Sequence, residues 1–267
     1  MKIPLAGRRI WLTGASSGIG RACALEFARR GAKVALSARS VDVLEALVRE
    51  IGPDQAMTVA FDATSSEANL EAVQRIIDTW GGIDTVLLNA GTCEFVEEED
   101  FDASIFDRVF AVNFHAVTYG MEASLPILMK ASTPHLAIVA SCVCWLPLPS
   151  AEAYGASKAA LRYLIDAFRY RAEARGLSVT GIYPGFVKSA MSERNDFPMP
   201  FLMSAEEAAR RIADGLENRR REIHFPRRLT WPMKLLALAP LWLYQMIVPR
   251  VVKIPWAQGR RPQCDKN

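Results

Sequence analysis

The segment Arg9-Ile-Trp-Leu-Thr-Gly-Ala-Ser-Ser-Gly-Ile-Gly20 decides which fold this chain can adopt. Its first residues, Arg9–Thr13, have the apolar centre of a short buried strand. A glycine-rich turn follows, and an apolar pattern then continues to Arg30 and ends at Gly31, which predicts a helix closed by a glycine. A strand, a glycine turn and a helix N-terminus in this order form the context in which backbone amides bind phosphate groups.

The alternation of strands and helices continues beyond this first unit. Strands that alternate with helices imply a parallel sheet with right-handed crossovers. The predicted fold class is therefore α/β: a Rossmann-type doubly wound parallel sheet in three αβα layers, in a single domain over residues 1–225. The further strands are expected at 33–38, 56–61, 83–88, 136–140, 178–183 and 222–225, and helices at 41–51, from a capping box at 64–67 to residue 80, and from a second capping box at 204–207.

Length and composition suit a single domain. The chain has 267 residues, 51% of them hydrophobic, which is enough for one large core. The formal net charge is only +3, but residues 219–267 carry eleven Lys and Arg against two acidic residues. The cysteines and histidines show no metal-ligand or disulfide spacing, so we expect no metal site and a reducing, cytoplasmic location. We expect neither a signal peptide nor a nucleic-acid partner.

Tyr154 and Lys158 are candidates for acid–base chemistry, because residues four apart project from the same face of a helix. A free phenol has a pKa of about 10, and a neighbouring ammonium favours the phenolate, which brings the group toward the useful range. Ser141 follows the strand predicted at 136–140, so its hydroxyl can reach the same substrate oxygen from the other side. Alone the pair is a weak signal, since an aromatic ring packed beside a solvated lysine has the same spacing.

Glycine-rich and polar positions fall directly after the predicted strands, at the edge of a parallel sheet where ligands bind. They are Gly14–Gly20, Arg39, Asp62, Asn89–Gly91 and Ser141. Arg39 stands where an acid would bind the ribose hydroxyls of NAD, and its guanidinium can instead pair with the 2′-phosphate of NADP. The alternative is an exposed arginine without a ligand; we favour NADP.

In these motifs the chain resembles the short-chain dehydrogenase/reductase family, in its single-domain, NADP-preferring type. The motifs occur in the family's order and spacing over roughly residues 8–225. Ser17 stands where some NADP users carry a basic residue, so the resemblance to NADP users rests on Arg39. The matching residues are Thr13-Gly14-Ala15-Ser16-Ser17-Gly18-Ile19-Gly20, Asn89-Ala90-Gly91, Asn113, Ser141, Tyr154-Gly-Ala-Ser-Lys158 and Pro184-Gly185.

The resemblance implies a role for each motif residue. Tyr154 would act as acid and base, and Ser141 would orient the substrate oxygen. Lys158 would lower the pKa of Tyr154 and bind the nicotinamide ribose, and Asn113 would hold a water that links Lys158 to solvent. The implied NADP(H) contacts are Gly14, Ser16, Ser17, Gly18, Ile19, Gly20, Arg39, Asp62 at the adenine, Asn89, Ala90, Gly91, Tyr154, Lys158, Pro184, Gly185, Val187 and Ser189.

The segment 188–203 leaves the carboxyl end of a strand, so we expect it to cover the cofactor as a substrate lid. Apolar side chains dominate this lid and the stretch after Ser141, which favours a lipophilic substrate. The alternative is that they only pack the lid onto the domain. The predicted substrate residues are Ser141, Trp145, Tyr154, Met191, Phe197 and Phe201.

Residues 226–267 form a basic and apolar extension beyond the family pattern. The apolar run 235–248 is shorter than the about 20 residues that a spanning helix needs, and a proline interrupts it. Basic residues flank the run, among them Arg227 and Arg228. The aromatic residues of the extension are types common at lipid headgroups, namely Trp231, Trp242, Tyr244 and Trp256. We predict peripheral contact of 226–256 with the inner face of a membrane. The alternative is packing over the substrate site or in a subunit interface.

The expected activity is hydride transfer between NADP(H) and a lipophilic ketone, aldehyde or alcohol of fatty, sphingoid, retinoid or steroid-like type. Two alternatives stay open: a 3-oxoacyl-thioester reductase, and a non-catalytic NADP-binding scaffold. A serine-nucleophile mechanism at Ser141 would need a base, and no histidine lies in a suitable motif. From the resemblance we also expect a homodimer or homotetramer.

Overall fold

The computed structural model describes residues 2–96, 101–194, 198–240, 243 and 246. Seven parallel strands form one sheet in the order β3-β2-β1-β4-β5-β6-β7. The strands are β1 (Arg9–Thr13), β2 (Lys33–Ser37), β3 (Ala56–Thr58), β4 (Thr85–Leu88), β5 (His135–Val139), β6 (Ser178–Pro184) and β7 (Glu222–Phe225). The helices are α1 (Gly18–Arg29), α2 (Val41–Ile51), α3 (Ser66–Trp80), α4 (Ser104–Phe110), α5 (Ala116–Leu128), α6 (Glu152–Ala174), α7 (Ala205–Glu217) and α8 (Arg227–Leu236).

Helices cover both faces of the sheet and give it two apolar cores. On the face of α1, α2 and α7, the side chains of Phe27, Leu44 and Ile212 are completely buried. On the face of α3, α5 and α6, Ile76 and Leu161 are equally buried. Removing an apolar side chain of this size from water stabilises a fold by about 1.5–3 kcal/mol. The layered α/β arrangement confirms the predicted fold class.

The direction of winding reverses at β1, which is why a site can form there. The chain first moves outward from β1 to β2 and β3, and it then returns to place β4 on the other side of β1. The register pairs Trp11 with Ala35 on one side and with Val86 on the other. A reversal of this kind leaves a crevice beyond the carboxyl ends of the strands, where α/β proteins bind their ligands.

Several predicted elements begin or end one to three residues away from the observed bounds, and two of them show why. The strand predicted at 56–61 is regular only over Ala56–Thr58. Beyond it, the Val59 N–H still donates to the Leu36 carbonyl of β2, and the Phe61 N–H donates to the carbonyl of Ala38, just after β2. The capping box predicted at 64–67 is shifted by one residue, because Ser65 Oγ accepts the capping bond from Ala68 N at 3.2 Å. Thr64 instead donates its hydroxyl to the Asp62 carboxylate at 2.8 Å.

The second capping box begins α7 as predicted. Ser204 Oγ accepts a hydrogen bond from the Glu207 N–H at 3.1 Å. The Glu207 carboxylate accepts from Arg211 at 2.7 Å. The serine therefore caps the helix while the glutamate forms a pair along it.

The C-terminal extension begins as a helix packed on the domain. Helix α8 follows β7 after Pro226, buries Thr230 completely and packs Leu229 and Met233 against the core on the α3, α5 and α6 face. The predicted boundary at residue 225 thus falls where the chain turns from β7 into α8. Trp242, Tyr244 and Trp256 lie outside the described residues. In the described part of the chain, no helix has the length and apolar character to cross a bilayer.

Candidate active site

The turn between β1 and α1 requires glycine at its two ends. Gly14 has φ +68°, and a Cβ there would lie 2.9 Å from the Ala90 Cα. At Gly20, a Cβ would lie only 2.0 Å from the Gly14 carbonyl oxygen. Any side chain at these positions would push the turn away from α1 or β4. The sequence pattern therefore reflects a close approach of three backbone segments.

The N-terminus of α1 points its free backbone donors into this turn. Ser17 is the N-cap residue, but its side chain makes no capping hydrogen bond. The first N–H groups of the helix are thus left for another acceptor, beside the positive end of the helix dipole. Ser189 lies against the same turn, because a Cβ on Gly18 would lie 3.1 Å from the Ser189 Cβ.

Asn89 holds the turn in place from the end of β4. Its Nδ2 donates to the carbonyl oxygens of Thr13 and Gly14, both at 3.1 Å. The Thr13 hydroxyl accepts from the N–H groups of Asn89 and Ala90 at 3.0 and 3.2 Å. Ala90 and Asn89 therefore fix the glycine turn, a contact that the sequence analysis did not assign to either of them.

Tyr154 and Lys158 lie on α6 and face the carboxyl ends of β4 and β5. The Lys158 Nζ is 5.8 Å from the centre of the Tyr154 ring and donates to the Val139 carbonyl oxygen at 3.1 Å. Lys158 is buried, and a Cβ on Gly91 would lie 3.4 Å from its Nζ. The loop after β4, the end of β5 and the first turns of α6 thus meet at this ammonium.

Asn113 anchors the same region from a π-helical turn, Ala111–His115, between α4 and α5. Its Oδ1 accepts from the Thr92 N–H at 2.8 Å, and its Nδ2 donates to the Thr92 carbonyl and to Ser157 Oγ at 3.0 and 2.9 Å. These bonds use both N–H groups of the amide, while Oδ1 accepts one bond and keeps a second lone pair. A water bound at Asn113, as the resemblance implies, would therefore donate to this oxygen or to the backbone.

Ser141 follows β5 and lies beside Tyr154. Its Oγ accepts from the Val143 N–H at 3.3 Å, which caps the short 3-10 turn Cys142–Trp145. A hydrogen bond between the Ser141 and Tyr154 side chains favours the charged form of the phenol and works against the effect of burial on its pKa. The two hydroxyls therefore lie beside each other, and their action on a shared substrate oxygen stays a prediction.

The pKa values of Tyr154 and Lys158 differ from the expected ones. Burial raises the pKa of the Tyr154 phenol above its ordinary value, and the bond with Ser141 offsets only part of this rise. Burial also lowers the pKa of Lys158 to about 8. The spacing of the two residues predicts that Lys158 lowers the pKa of Tyr154. In the structure desolvation has the largest effect on the pKa of each group, because both side chains are buried.

Arg39 and Asp62 lie together at the other end of the crevice. Both side chains are exposed, and the positive charge of Arg39 helps to lower the pKa of Asp62. Hydrogen bonds from the Thr64 N–H and hydroxyl have the larger effect on that pKa. These two side chains therefore lie next to each other at the carboxyl ends of β2 and β3, on one border of the crevice.

The segment after β6 brings the remaining predicted cofactor contacts to the crevice. The Gly185 N–H donates to the Phe225 carbonyl at 2.7 Å, and Val187 forms a β-bridge with Met203. The Lys188 N–H donates to the Met203 carbonyl at 2.8 Å. The lid predicted at 188–203 is consequently pinned at both ends beside the glycine turn.

The predicted substrate residues do not all face the crevice. Met191 and Phe201 are exposed on the lid, by 40% and 51%. Trp145 is buried instead, because it packs in a tilted arrangement against Tyr183 of β6, with ring centres 5.3 Å apart, and lies beneath α8. Trp145 is therefore placed by packing contacts in this structure, and its predicted contact with substrate stays a prediction. Phe197 lies outside the described residues.

Sequence reasoning missed several residues that hold the site together. Thr13 and Ser157 stand inside the quoted motifs, but no contact was assigned to them. Thr92 directly follows Asn89–Gly91 and binds Asn113 through its backbone, which no side-chain pattern can reveal. Among the described residues, no group of three or more His, Cys, Asp or Glu side chains is placed to hold a metal ion.

Comparisons with known proteins agree with this geometry. A family model described as short chain dehydrogenase matches residues 8–197. An uncharacterized oxidoreductase of Myxococcus xanthus (strain DK1622) is 33% identical over 247 residues, which cover 91% of this chain and 97% of that protein. An uncharacterized oxidoreductase of Staphylococcus epidermidis is 30% identical over 205 residues, covering 77% and 89% of the two chains.

Two solved structures share the fold. A short chain dehydrogenase from Burkholderia cenocepacia J2315, in complex with NADP, superposes with a TM-score of 0.75 at 26% identity and covers 83% of this chain and 97% of its own. A 3-ketoacyl-(acyl-carrier-protein) reductase from Brucella melitensis, complexed with NADH, has a TM-score of 0.74 at 25% identity and covers 82% and 97%.

Proposed function

The chain belongs to the short-chain dehydrogenase family of oxidoreductases, and from this premise we propose that it transfers a hydride between NADP(H) and a lipophilic ketone, aldehyde or alcohol. The observation that carries the proposal is the convergence of Ser141, Tyr154 and Lys158 beside Gly91 and the glycine turn. A proton donor and a dinucleotide crevice then meet at one point.

The residues present fit a dinucleotide. The glycine turn allows a pyrophosphate to approach the backbone, and the uncapped N-terminus of α1 supplies donors and a favourable dipole. Ser189, next to Gly18, and the Pro184–Val187 stretch would hold the nicotinamide end. When bound, the nicotinamide ring supplies or accepts the hydride.

The exposed Arg39 supports NADP(H) rather than NAD(H). A guanidinium forms paired hydrogen bonds with a phosphate, and no acidic side chain occupies that position to bind the ribose hydroxyls. The Burkholderia neighbour was solved with NADP and the Brucella neighbour with NADH. Arg39 is therefore the residue on which the proposed preference for NADP(H) over NAD(H) depends.

The protein's own residues would manage the proton. In the reductive direction, the substrate oxygen takes the proton of the Tyr154 hydroxyl while the carbonyl carbon takes the hydride. Ser141 would donate a hydrogen bond to that oxygen and align it. Lys158 has a pKa of about 8 because of its burial, so it can exchange a proton near neutral pH and stabilise the phenolate that remains. Asn113 would position the Thr92 segment against this lysine.

The substrate class rests on the apolar character of the lid and of the wall behind Ser141. Met191, Phe201 and Leu202 are exposed by 40%, 51% and 46% on the lid, while Val143 and Leu146 are buried behind the serine. Exposed apolar side chains on the segment that follows β6 suit a lipophilic substrate. We include in the proposal a homodimer or homotetramer, and a cytoplasmic location with peripheral membrane contact through 226–256.

A 3-oxoacyl-thioester reductase is the second candidate, because the Brucella neighbour is a 3-ketoacyl-(acyl-carrier-protein) reductase. A scaffold without catalysis is less well supported, since Asn113, Ser141, Tyr154 and Lys158 are all present.

One assay separates the three functions. The purified chain is mixed with NADPH and either long-chain ketones and aldehydes or an acetoacetyl thioester, and the nicotinamide absorbance is followed. We expect faster loss with the long-chain carbonyls. Faster loss with the thioester would favour the second candidate. Tight NADPH binding with no turnover on either panel would contradict both enzymatic functions.

A further inference from the structure

Helix α8 has one face that is already used by the domain. Thr230 is completely buried, and Leu229 and Met233 pack against the core. Leu229 also reaches the segment after β6, because a Cβ on Gly185 would lie 2.8 Å from the Leu229 Cδ2. The contacts of this inner face fix the orientation of α8 on the domain, so the opposite face of the helix points away from the domain.

The opposite face exposes large apolar side chains. Trp231, Leu235 and Leu238 are exposed by 51%, 65% and 86%. Their spacing of four and three residues places them on one side of the helix, and the turn after α8 continues the stripe, since the Leu238 N–H donates to the Leu235 carbonyl at 3.1 Å. Contiguous apolar surface of this kind on a folded domain marks a contact with a partner.

The charge around this stripe is positive. Arg227 and Arg228 are exposed in the first turn of α8, and neither forms an ion pair with a residue that the structure describes. Lys234 is neutralised by Glu222. The chain from 219 onward carries eleven basic against two acidic residues. The partner of this face must therefore be apolar in its interior and negatively charged at its surface.

A lipid surface meets both conditions better than a second copy of the chain. A two-fold interface through α8 would face this helix with an identical one that carries no acidic residue to neutralise Arg227 and Arg228. A tryptophan, leucines and arginines on one amphipathic helix are the residue types that bind headgroups and acyl chains of an anionic bilayer. The apolar run continues past α8, but it is too short to span a bilayer, for which about 20 apolar residues are needed.

We infer that the outer face of α8, formed by Trp231, Leu235 and Leu238 with Arg227 and Arg228, docks on an anionic lipid surface. The inference deepens the membrane contact in the proposed function by naming the face that makes it. Because the inner face of α8 contacts the Gly185 segment, docking would hold the crevice close to the lipid from which a lipophilic substrate comes.

The test is co-sedimentation of the full chain with vesicles. Vesicles of phosphatidylcholine with phosphatidylglycerol are compared with pure phosphatidylcholine, at low and high salt. We expect the wild type to bind the anionic vesicles. The double substitution Leu235→Glu and Leu238→Glu should weaken this binding at least tenfold. The double substitution Arg227→Gln and Arg228→Gln should weaken the part of the binding that high salt removes from the wild type. The control Leu70→Glu, at a 52% exposed position on α3, should leave binding unchanged.

Other results would overturn the inference. Equal binding of the wild type and the Leu235→Glu, Leu238→Glu variant would exclude this face. No vesicle binding, together with a lower mass of that variant in light scattering, would show instead that the face joins two copies. Turnover of a water-soluble carbonyl by each protein separates this test from the proposed function. A wild type that turns over normally but binds no vesicles contradicts only the docking, whereas a variant that loses vesicle binding and keeps normal turnover supports it. Thermal unfolding confirms that each variant is folded.

Discussion

The ammonium of Lys234 lies 4.8 Å from the centre of the Trp145 ring and so joins the C-terminal helix to the turn that follows Ser141. Trp145 is held from other sides by Tyr183 and His224, at ring-centre distances of 5.3 and 6.0 Å. Glu222 fixes the lysine in turn. The extension is therefore structurally continuous with the wall of the candidate active site.

This contact predicts that Lys234→Ala lowers both stability and turnover. A cation over an aromatic ring contributes about 0.5–2 kcal/mol, so we expect a decrease of a few degrees in the melting temperature. A looser Trp145 should also disturb Ser141 and lower kcat several-fold, with little change in cofactor binding. Lys234→Arg keeps the cation and should restore both values. A Lys234→Ala enzyme with unchanged kcat would show that α8 does not position the serine.

Tyr154→Phe tests the proton donor. Removing the hydroxyl leaves the ring and its packing in place, so NADPH binding should persist. Turnover should fall by roughly 10²–10⁴, the usual contribution of a general acid or base. Steady-state NADPH oxidation and fluorescence titration of the cofactor give the two values. Tyr163→Phe on the same helix, at a 79% exposed position, is the matched control and should behave as wild type.

The buried lysine predicts a dependence of stability on pH. Burial lowers the pKa of Lys158 to about 8, below that of a lysine in the unfolded chain. Between these two pKa values the unfolded chain binds more protons, so the contribution of Lys158 to the free energy of unfolding rises with pH from about 8 to about 10. The total rise is on the order of 3 kcal/mol for this single group.

Denaturant unfolding of the wild type and of Lys158→Met across this range isolates the effect. The wild type should gain stability relative to the variant as the pH rises, because the variant has no ammonium to desolvate. Lys130→Met, at an exposed position, should run parallel to the wild type. A constant difference between wild type and Lys158→Met would mean that Lys158 titrates as an ordinary lysine in the folded protein.

Features that depend on residues close together in the sequence could be predicted, and features that depend on distant residues could not. The β1 and β7 strands depend on neighbouring residues, and their patterns predicted both well. Trp145 could not be placed in this way, since Lys234, which covers it, is distant in sequence and stands in a region without a family pattern. The use of the Asn113 amide likewise depends on the distant Ser157.

The pKa of Tyr154 shows a second limit of sequence reasoning. The spacing to Lys158 identifies a possible charge partner, but it contains no information on how much water reaches the phenol. Desolvation depends on all side chains packed around the group, and it exceeds the effects of the nearby polar groups on this pKa. The spacing of two residues in the sequence therefore identifies the interacting groups more reliably than it predicts their pKa values.

Arg39→Asp tests the preference for NADP(H). A hydrogen bond to a charged group contributes about 1.5–3 kcal/mol, so losing the phosphate contact should weaken NADPH use by roughly 10–100-fold. The new carboxylate can accept bonds from ribose hydroxyls, which should improve NADH use. The ratio of kcat/KM for the two cofactors is the measurement. Arg49→Asp, also exposed but on α2, should leave the ratio unchanged, and an unchanged ratio in Arg39→Asp would refute the phosphate contact.

Gly20→Ala tests whether the glycine turn tolerates any side chain. The added Cβ would lie 2.0 Å from the Gly14 carbonyl and 2.7 Å from the Asn89 Nδ2, so α1 must move away from the turn or the turn must open. Either change distorts the phosphate site, and we expect loss of NADPH binding in a titration together with a lower melting temperature.

Gly155→Ala is the contrasting change, because its Cβ would meet only Val143 Cγ2 at 3.8 Å. An alanine inside α6 should keep the melting temperature or raise it, since glycine in a helix costs about 0.5–1 kcal/mol relative to alanine. Similar melting temperatures and cofactor affinities for the two variants would contradict the close approach of the turn to α1.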